Sequence, residues 1–240
     1  MNSNEIVKKL KSLSNPKNIE GMKRFAVGGK NILGISIPVL RKLAKEIKKS
    51  HSERSEESQD SLASPQNDIH RLAEELWKSG IHEARILAGM IDDPKLVTEK
   101  QMDYWVNDFD SWDVCDQVCM NLFDKTKFAF DKAKEWSSRK KEFQKRAGFA
   151  LIAVLAWHDK TAPDAKLAQF FPIIIREATD ERNFVKKAVN WALRQIGKCR
   201  PSLLQPAIKT AEEIIKKYPD DKTAKWIASD AIRELKTKKF

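Results

Sequence analysis

Apolar residues recur every three or four positions along almost the whole chain, which is the period of an amphipathic α-helix. No stretch shows the apolar–polar alternation that is typical of a half-buried β-strand. Breakers such as Pro16, Gly80 and Pro219 separate the periodic stretches. The pattern predicts helices at residues 4–14, 18–26, 38–49, 69–79, 82–91, 98–108, 111–125, 128–137, 140–157, 163–178, 182–198, 201–217 and 221–236.

Helices of this length, joined by short turns, favour antiparallel helix pairs stacked in a row. We therefore predict an all-α fold, a right-handed α-solenoid of HEAT- or ARM-like repeats that forms a single domain over residues 1–240. No strict motif recurs, so a plain multi-helix bundle is the structural alternative. Residues 51–68 are rich in serine, nearly free of apolar residues and contain Pro65. We expect a flexible insertion there.

Composition indicates a protein that works away from membranes. Hydrophobic residues make up 41% of the 240 positions, which is enough for a packed core. The longest apolar run, from Phe149 to Trp157, is too short to span a bilayer, and the N-terminal residues lack the pattern of a signal peptide. The three cysteines imply no disulfide framework. We expect a cytoplasmic monomer.

The charge balance points to a polyanionic partner. Lysine and arginine number 45 against 34 acidic residues, a net charge of +11. Residues 51–68 carry five of the acidic residues and one arginine, so the rest of the chain is more basic still. Nucleic acid is the commonest polyanion in the cytosol.

Two helices carry unusual polar faces. In the helix at 182–198, cations and a tryptophan lie opposite a buried stripe of Val185, Ala188, Val189, Ala192 and Ile196; they are Lys187, Trp191, Arg194 and Lys198. Either Trp191 packs beneath a neighbouring helix and the cations are solvated, or this face binds an anionic backbone through phosphate contacts and indole stacking. The last predicted helix similarly places Trp226 and Arg233 opposite its buried stripe.

The helix that begins at residue 111 holds the candidate chemistry. Its buried stripe is Cys115, Val118, Cys119 and Leu122. Trp112 and Asp116 share one edge of the helix, while Asp113 and Gln117 point further out. Asp116 is either a structural hydrogen-bond acceptor or a base or electrostatic stabiliser of developing positive charge. The residues leave both roles open.

The sequence gives little support for a metal site or a cofactor site. Cys115 and Cys119 have a spacing at which one metal ion could be bound, but no second ligand pair accompanies them, and free cysteines are more often core residues. The four histidines are scattered, and the chain has no P-loop or dinucleotide fingerprint. We predict neither a metal nor a cofactor. Arg146 precedes an apolar run and is expected at a face boundary.

The chain resembles the DNA alkylation repair family, the AlkD-like alkylpurine DNA glycosylases built from HEAT-like repeats. The resemblance rests on GISIPVLRKLAKEI (34–47), SWDVCDQV (111–118), KRAGFALI (145–152), NFVKKAVNWALRQIGK (183–198) and KWIASDAIREL (225–235). It covers almost the whole chain except residues 51–68. The pairing of WDxxD with KKAVNWALR is its most specific part. Ser111 departs from an active relative, in which a second tryptophan precedes the catalytic one.

The resemblance implies hydrolysis of the N-glycosidic bond of cationic N3- or N7-alkylated purines in double-stranded DNA. It implies that Asp116 is the catalytic aspartate and that Trp112 and Trp191 contact the deoxyribose of the lesion. It also implies that Arg146 and Arg194 hold the DNA backbone, and the polar face of the helix adds Lys187 and Lys198 as phosphate contacts.

Three hypotheses follow, and the first two belong to different classes. The first is a monofunctional glycosylase, because no lysine nucleophile stands beside Asp116. The second is a non-catalytic HEAT-type scaffold that binds nucleic acid or a protein, and a helical enzyme acting on RNA is a third, weaker option. Asp116 separates the first two, since a scaffold needs no carboxylate at the centre of a phosphate-binding surface.

Overall fold

The structure is a computed structural model that describes residues 1–57 and 65–239. In these ranges the regular elements are all helical, and none is a strand. The α-helices are α1 (Ser3–Ser12), α2 (Pro16–Arg24), α3 (Ile37–Glu57), α4 (Pro65–Lys78), α5 (His82–Ile91), α6 (Glu99–Asn107), α7 (Trp112–Asn121), α8 (Ala129–Ser137), α9 (Glu142–His158), α10 (Asp164–Ala168), α11 (Phe171–Arg176), α12 (Asn183–Cys199), α13 (Leu204–Lys217) and α14 (Lys222–Leu235). Short 3-10 turns occupy Phe123–Lys125 and Pro201–Leu203. The prediction of an all-α fold is confirmed.

Helix α3 runs well past its predicted end at residue 49. Residues 51–57 continue α3, and residues 65–68 form the first turn of α4, so both ends of the predicted insertion are helical. Lys49 and Glu53 form an ion pair at helical spacing, 3.5 Å apart, and no proline or glycine interrupts this polar stretch before Pro65. Residues 58–64, the centre of the predicted insertion, lie outside the described residues.

The single helix predicted at 163–178 is wrong, because the chain forms α10 and α11 there instead. Pro172 lies in the first turn of α11. A proline inside a helix removes a backbone donor and clashes with the carbonyl four residues earlier, so the first helix ends at Ala168. The helix predicted at 111–125 is also shorter, since the backbone of Leu122 leaves the helical region (φ −130°, ψ −61°).

The chain divides into two compact units, Met1–Thr126 and Lys127–Phe240. In the first unit, α5 packs against α3, α4 and α7. Trp77 and Trp105 stack in its core with ring centroids 4.1 Å apart. The single domain predicted over residues 1–240 stays a prediction.

In the second unit, α9 packs against α8 and α12, and α12 packs against α13 and α14. The apolar run of α9 from Ala147 to Ala156 is entirely buried. At Gly148 a side chain would collide with the backbone of Ser137 in α8, so glycine permits this close helix contact. Within the described ranges, no helix is both long and apolar enough to cross a membrane.

Candidate functional site

Helix α7 carries two of the predicted catalytic residues, Trp112 and Asp116, in the first unit. Ser111 precedes it in an extended conformation, and Val114, Cys115, Val118 and Cys119 fix its orientation by burying one face. Trp112 is half-buried, and Asp116, one turn further along, is buried with 9% of its surface exposed. A carboxylate in such a buried position is of the kind that stabilises positive charge. The predicted core stripe of this helix is confirmed.

The cysteines of α7 contribute packing rather than a nucleophile. Cys115 and Cys119 are buried, and neither forms a disulfide bond. Burial raises the pKa of the Cys119 thiol well above its usual value, and the neighbouring Cys115 and Asp116 raise it further. Cys119 therefore stays protonated near neutral pH, and a neutral thiol is a poor nucleophile and metal ligand.

The indole of Trp112 lines a pocket in the first unit. Its Nε1–H donates to the backbone carbonyl of Phe25, 3.1 Å away, in the segment that follows α2. The pocket has a volume of about 490 Å³, and its walls include Met22, Phe25, His82, Trp112, Asp113 and Gln117. Trp112, Asp113 and Gln117 thus present one side of α7 to the pocket, and Asp116 is not among the lining residues.

Asp113 does not point outward as the sequence predicts. His82 donates from Nε2 to Asp113 Oδ2 at 2.8 Å, and the Ser111 hydroxyl donates to Asp113 Oδ1 at 2.5 Å. Burial acts to lower the pKa of His82, but the hydrogen bond and charge of Asp113 outweigh it and raise the pKa. Burial likewise acts to raise the pKa of Asp113, and His82 and Ser111 outweigh it and lower the pKa. The result is a hydrogen-bonded pair in the pocket wall, which becomes an ion pair when His82 is protonated.

Glu83 holds the segment between α2 and α3 in place. Its carboxylate accepts hydrogen bonds from the backbone N–H groups of Leu33, Gly34 and Ile35 at 2.6–3.2 Å. Gly34 has a φ of +77°, a conformation that glycine adopts without strain. Three charge-assisted hydrogen bonds to one buried carboxylate fix this segment against α5 and so shape the pocket.

In the second unit, α12 carries the predicted tryptophan and cations. Its stripe of Val185, Ala188, Val189, Ala192 and Ile196 is fully buried, as predicted. Lys187 is exposed, and Trp191 is half-buried.

The other two predicted cations of α12, Arg194 and Lys198, form ion pairs with acidic residues of α14. The sequence pattern does not reveal this pairing. Arg194 binds Glu234 and lies 3.8 Å from Asp230, while Lys198 Nζ lies 2.6 Å from Glu234 Oε1. Burial acts to raise the pKa of Glu234, but the hydrogen bonds from Lys198 and Arg194 outweigh it and lower the pKa. Any phosphate bound by these cations has to compete with Glu234.

Arg146 is not at a face boundary as predicted. It is buried in α9, with 6% of its surface exposed, and its Nη1 donates to the backbone carbonyl of Phe184 at 2.7 Å. Sequence reasoning misses this contact because the partner lies 38 positions away, in the first turn of α12. Trp226 and Arg233 of α14 are exposed, as predicted, and Lys186 of α12 lies 5.5 Å from the centre of the Trp226 ring.

The predicted site residues therefore form two groups. Trp112 and Asp116 share α7 in the first unit. The other five lie in the second unit: Arg146 on α9, and Lys187, Trp191, Arg194 and Lys198 on α12. Their catalytic and DNA-binding roles stay predictions. Sequence reasoning missed His82 and Glu83, because no local pattern signals that either residue meets a partner about thirty to fifty positions away.

Comparisons with known proteins agree with this picture. One solved structure is similar, with a TM-score of 0.72 and 21% sequence identity over 89% of this chain and 83% of that chain. It belongs to a new family of proteins related to the HEAT-like repeat DNA glycosylases, with affinity for branched DNA structures. The likeness shows that the fold is of the HEAT-like repeat type predicted from the sequence. No curated protein matches the sequence significantly. Residues 6–235 match the family described as DNA alkylation repair enzyme, and the chain belongs to that family.

Proposed function

We propose that this protein is a monofunctional DNA glycosylase that hydrolyses the N-glycosidic bond of cationic N3- or N7-alkylated purines in double-stranded DNA. The observation that carries the proposal is the buried carboxylate of Asp116, held one helical turn from the indole of Trp112. Family membership supports it, and so does the basic composition of the chain.

Hydrolysis of this N-glycosidic bond needs few catalytic groups. A cationic purine leaves as a neutral base when the bond to C1′ breaks and its electron pair moves to the base, so no general acid is required. The sugar then develops positive charge, which the Asp116 carboxylate and the indole face of Trp112 stabilise. Water adds to C1′ and releases a proton, which leaves an abasic site.

The absence of a lysine from α7 supports hydrolysis without strand cleavage. The lysine that follows most closely, Lys125, donates from Nζ to the carbonyls of Met120 and Asn121 at the end of the helix. A monofunctional enzyme uses water, and not an amine, as the nucleophile.

Release of free base under single-turnover conditions tests the proposal. The substrate is a duplex with one N7-methylguanine, saturated by protein. Asp116→Asn should slow release by about 10²-fold or more, the scale for loss of a preorganised electrostatic stabiliser, while duplex binding is preserved or tightened. Asp220→Asn, which removes the same charge at an exposed turn, is the matched control. Release at the wild-type rate by Asp116→Asn would make Asp116 a structural residue.

The variant Trp191→Ala tests whether the second predicted tryptophan takes part in base release. We expect slower release together with weaker duplex binding, because an indole that contacts the DNA acts in both the ground state and the transition state. Trp157→Ala, which removes an exposed indole of the same unit, is the control and should change neither quantity.

A second function, binding of branched DNA without base release, is supported by the similar structure, whose protein has affinity for such DNA. Wild-type protein that binds a four-way junction more tightly than a duplex and releases no alkylated base would establish this function instead.

A further inference from the structure

Trp226 of α14 is a large apolar side chain that the fold leaves open to solvent. It is 41% exposed, although the same helix buries five of its apolar residues. Helical spacing places Lys222 and Arg233 on the same face as Trp226, and both are exposed. An indole that stands beside cations on an open helix face is typical of surfaces that bind nucleic acid.

The packing of α14 against α12 fixes the position of this indole. Asn190 of α12 is buried, and its Nδ2 donates to the backbone carbonyl of Ile227, the residue after Trp226, at 3.0 Å. A hydrogen bond between buried groups is costly to break. The exposed ring is therefore held by a rigid contact in its own helix.

Positive charge borders the ring. Lys186 Nζ of α12 lies 5.5 Å from the centre of the Trp226 ring, within the range of about 6 Å for a cation and an aromatic face. Lys187, the next residue of α12, is exposed. Asp230 is the acidic residue one turn beyond Trp226, and Arg233 binds its carboxylate. This ion pair weakens the repulsion between Asp230 and a phosphate.

A single strand of DNA fits such a surface better than a duplex does. Inside a duplex each base is covered by its neighbours in the stack, so an indole meets a base face only at an end. An unpaired base offers a free π face, and its stacking on an aromatic ring tolerates any sequence. The phosphates of the same strand are available to the neighbouring lysines.

We propose that Trp226 stacks on an unpaired base of single-stranded DNA, in a strand that continues past the end of a duplex, while Lys186 contacts its phosphates. This surface gives the protein a preference for DNA whose strands are partly unpaired. It goes beyond the hydrolysis of alkylated purines, because it acts on undamaged DNA and uses residues outside α7.

The experiment measures binding of the full chain, by fluorescence anisotropy, to an undamaged blunt duplex and to the same duplex with a single-stranded thymine tail. We expect wild type to bind the tailed duplex about tenfold more tightly. Trp226→Ala should lose most of this preference, whereas Trp226→Phe keeps an aromatic face and should retain much of it. Lys186→Ala should make the plot of log affinity for the tailed duplex against log salt shallower by about 0.7, the value for one phosphate contact in a single strand.

Two controls separate stacking from charge. Trp157→Ala removes an indole of the same unit that is 44% exposed on α9, and it should keep the full preference for the tail. A tail of abasic nucleotides keeps the phosphates and removes the bases, so wild type should bind it no more tightly than Trp226→Ala binds the thymine tail. The abasic tail needs no variant, and it keeps the test decisive even if Trp226→Ala folds poorly.

Equal binding of the tailed and the blunt duplex by wild type overturns the proposal. An abasic tail that binds as tightly as the thymine tail also overturns it, and so does a preference that persists in full in Trp226→Ala. Because the DNA in these measurements contains no alkylated base, the outcome is independent of whether the protein is a glycosylase.

Discussion

The two units bury their functional charges to different degrees. Around α5 and α7 the ionisable side chains of Glu83 and His82 are almost fully buried, and each is bound to a fixed partner. Between α12 and α14 the charges of Arg194, Lys198 and Glu234 are partly exposed and share partners. Buried charges are costly to leave without partners, whereas exposed pairs exchange readily with ligands. The first region is therefore suited to holding a fixed geometry, and the second to binding polyanions.

Loss of the Glu83 charge should give the largest change in stability. Glu83→Gln keeps the shape but weakens three hydrogen bonds to backbone N–H groups and leaves an amide N–H₂ facing them. We expect the free energy of unfolding to fall by about 3 kcal/mol in urea titrations. Glu75→Gln, at an exposed position in α4, is the control and should change stability by less than about 0.5 kcal/mol. If the two variants lose the same free energy of unfolding, the buried position of Glu83 gives its carboxylate no special role in stability.

The His82–Asp113 pair makes the stability of the first unit depend on pH. The raised pKa of His82 stabilises the fold fully below the unfolded value, about 6.5, and this contribution is lost as the pH rises through the folded value. The lowered pKa of Asp113 stabilises the fold above its unfolded value, about 3.9, and this is lost as the pH falls. The pair therefore contributes most between about pH 4 and 6.5.

Urea unfolding measured from acid to alkaline pH checks this expectation. His82→Gln should lower stability most between those limits and flatten its decline on the alkaline side. His158→Gln, at an exposed histidine of the second unit, should leave the profile of the wild type unchanged. An alkaline decline that persists in full in His82→Gln would place the titrating group elsewhere.

In the second region, Glu234→Gln should strengthen DNA binding. The change removes the carboxylate that Arg194 and Lys198 share, so both cations become available to phosphates. We expect several-fold tighter binding to an undamaged duplex at low salt, with the plot of log affinity against log salt steeper by about 0.9 for each cation gained. Glu181→Gln removes an exposed acid just before α12, and an equal gain from it would mean that net charge alone is responsible.

The smallest effect is expected for Lys187→Ala. Lys187 is exposed on α12, so its loss should leave stability within about 0.5 kcal/mol. The salt dependence of duplex binding should become shallower by about 0.9, the value for one phosphate contact. Lys209→Ala, at an exposed position on α13, is the control and should leave the salt dependence unchanged. An unchanged salt dependence in Lys187→Ala would show that Lys187 does not contact DNA.

The sequence alone determined the features that depend on local periodicity. The helical period predicted an all-α fold, and the stripes around Val189 and Cys119 proved to be buried. Local motifs around Trp112 and Trp191 also carried the resemblance to the family that the chain matches. These features are local because a helix face is set by residues three and four positions apart.

The tertiary structure decided what depends on distant partners. It buried Arg146 against the carbonyl of Phe184, turned Asp113 toward His82, and paired Arg194 with Glu234. No spacing rule reports such contacts, because residues thirty to forty positions apart meet only when helices pack. The geometry and charge of the candidate site were thus determined by which helices became neighbours, and not by the sequence pattern of any one of them.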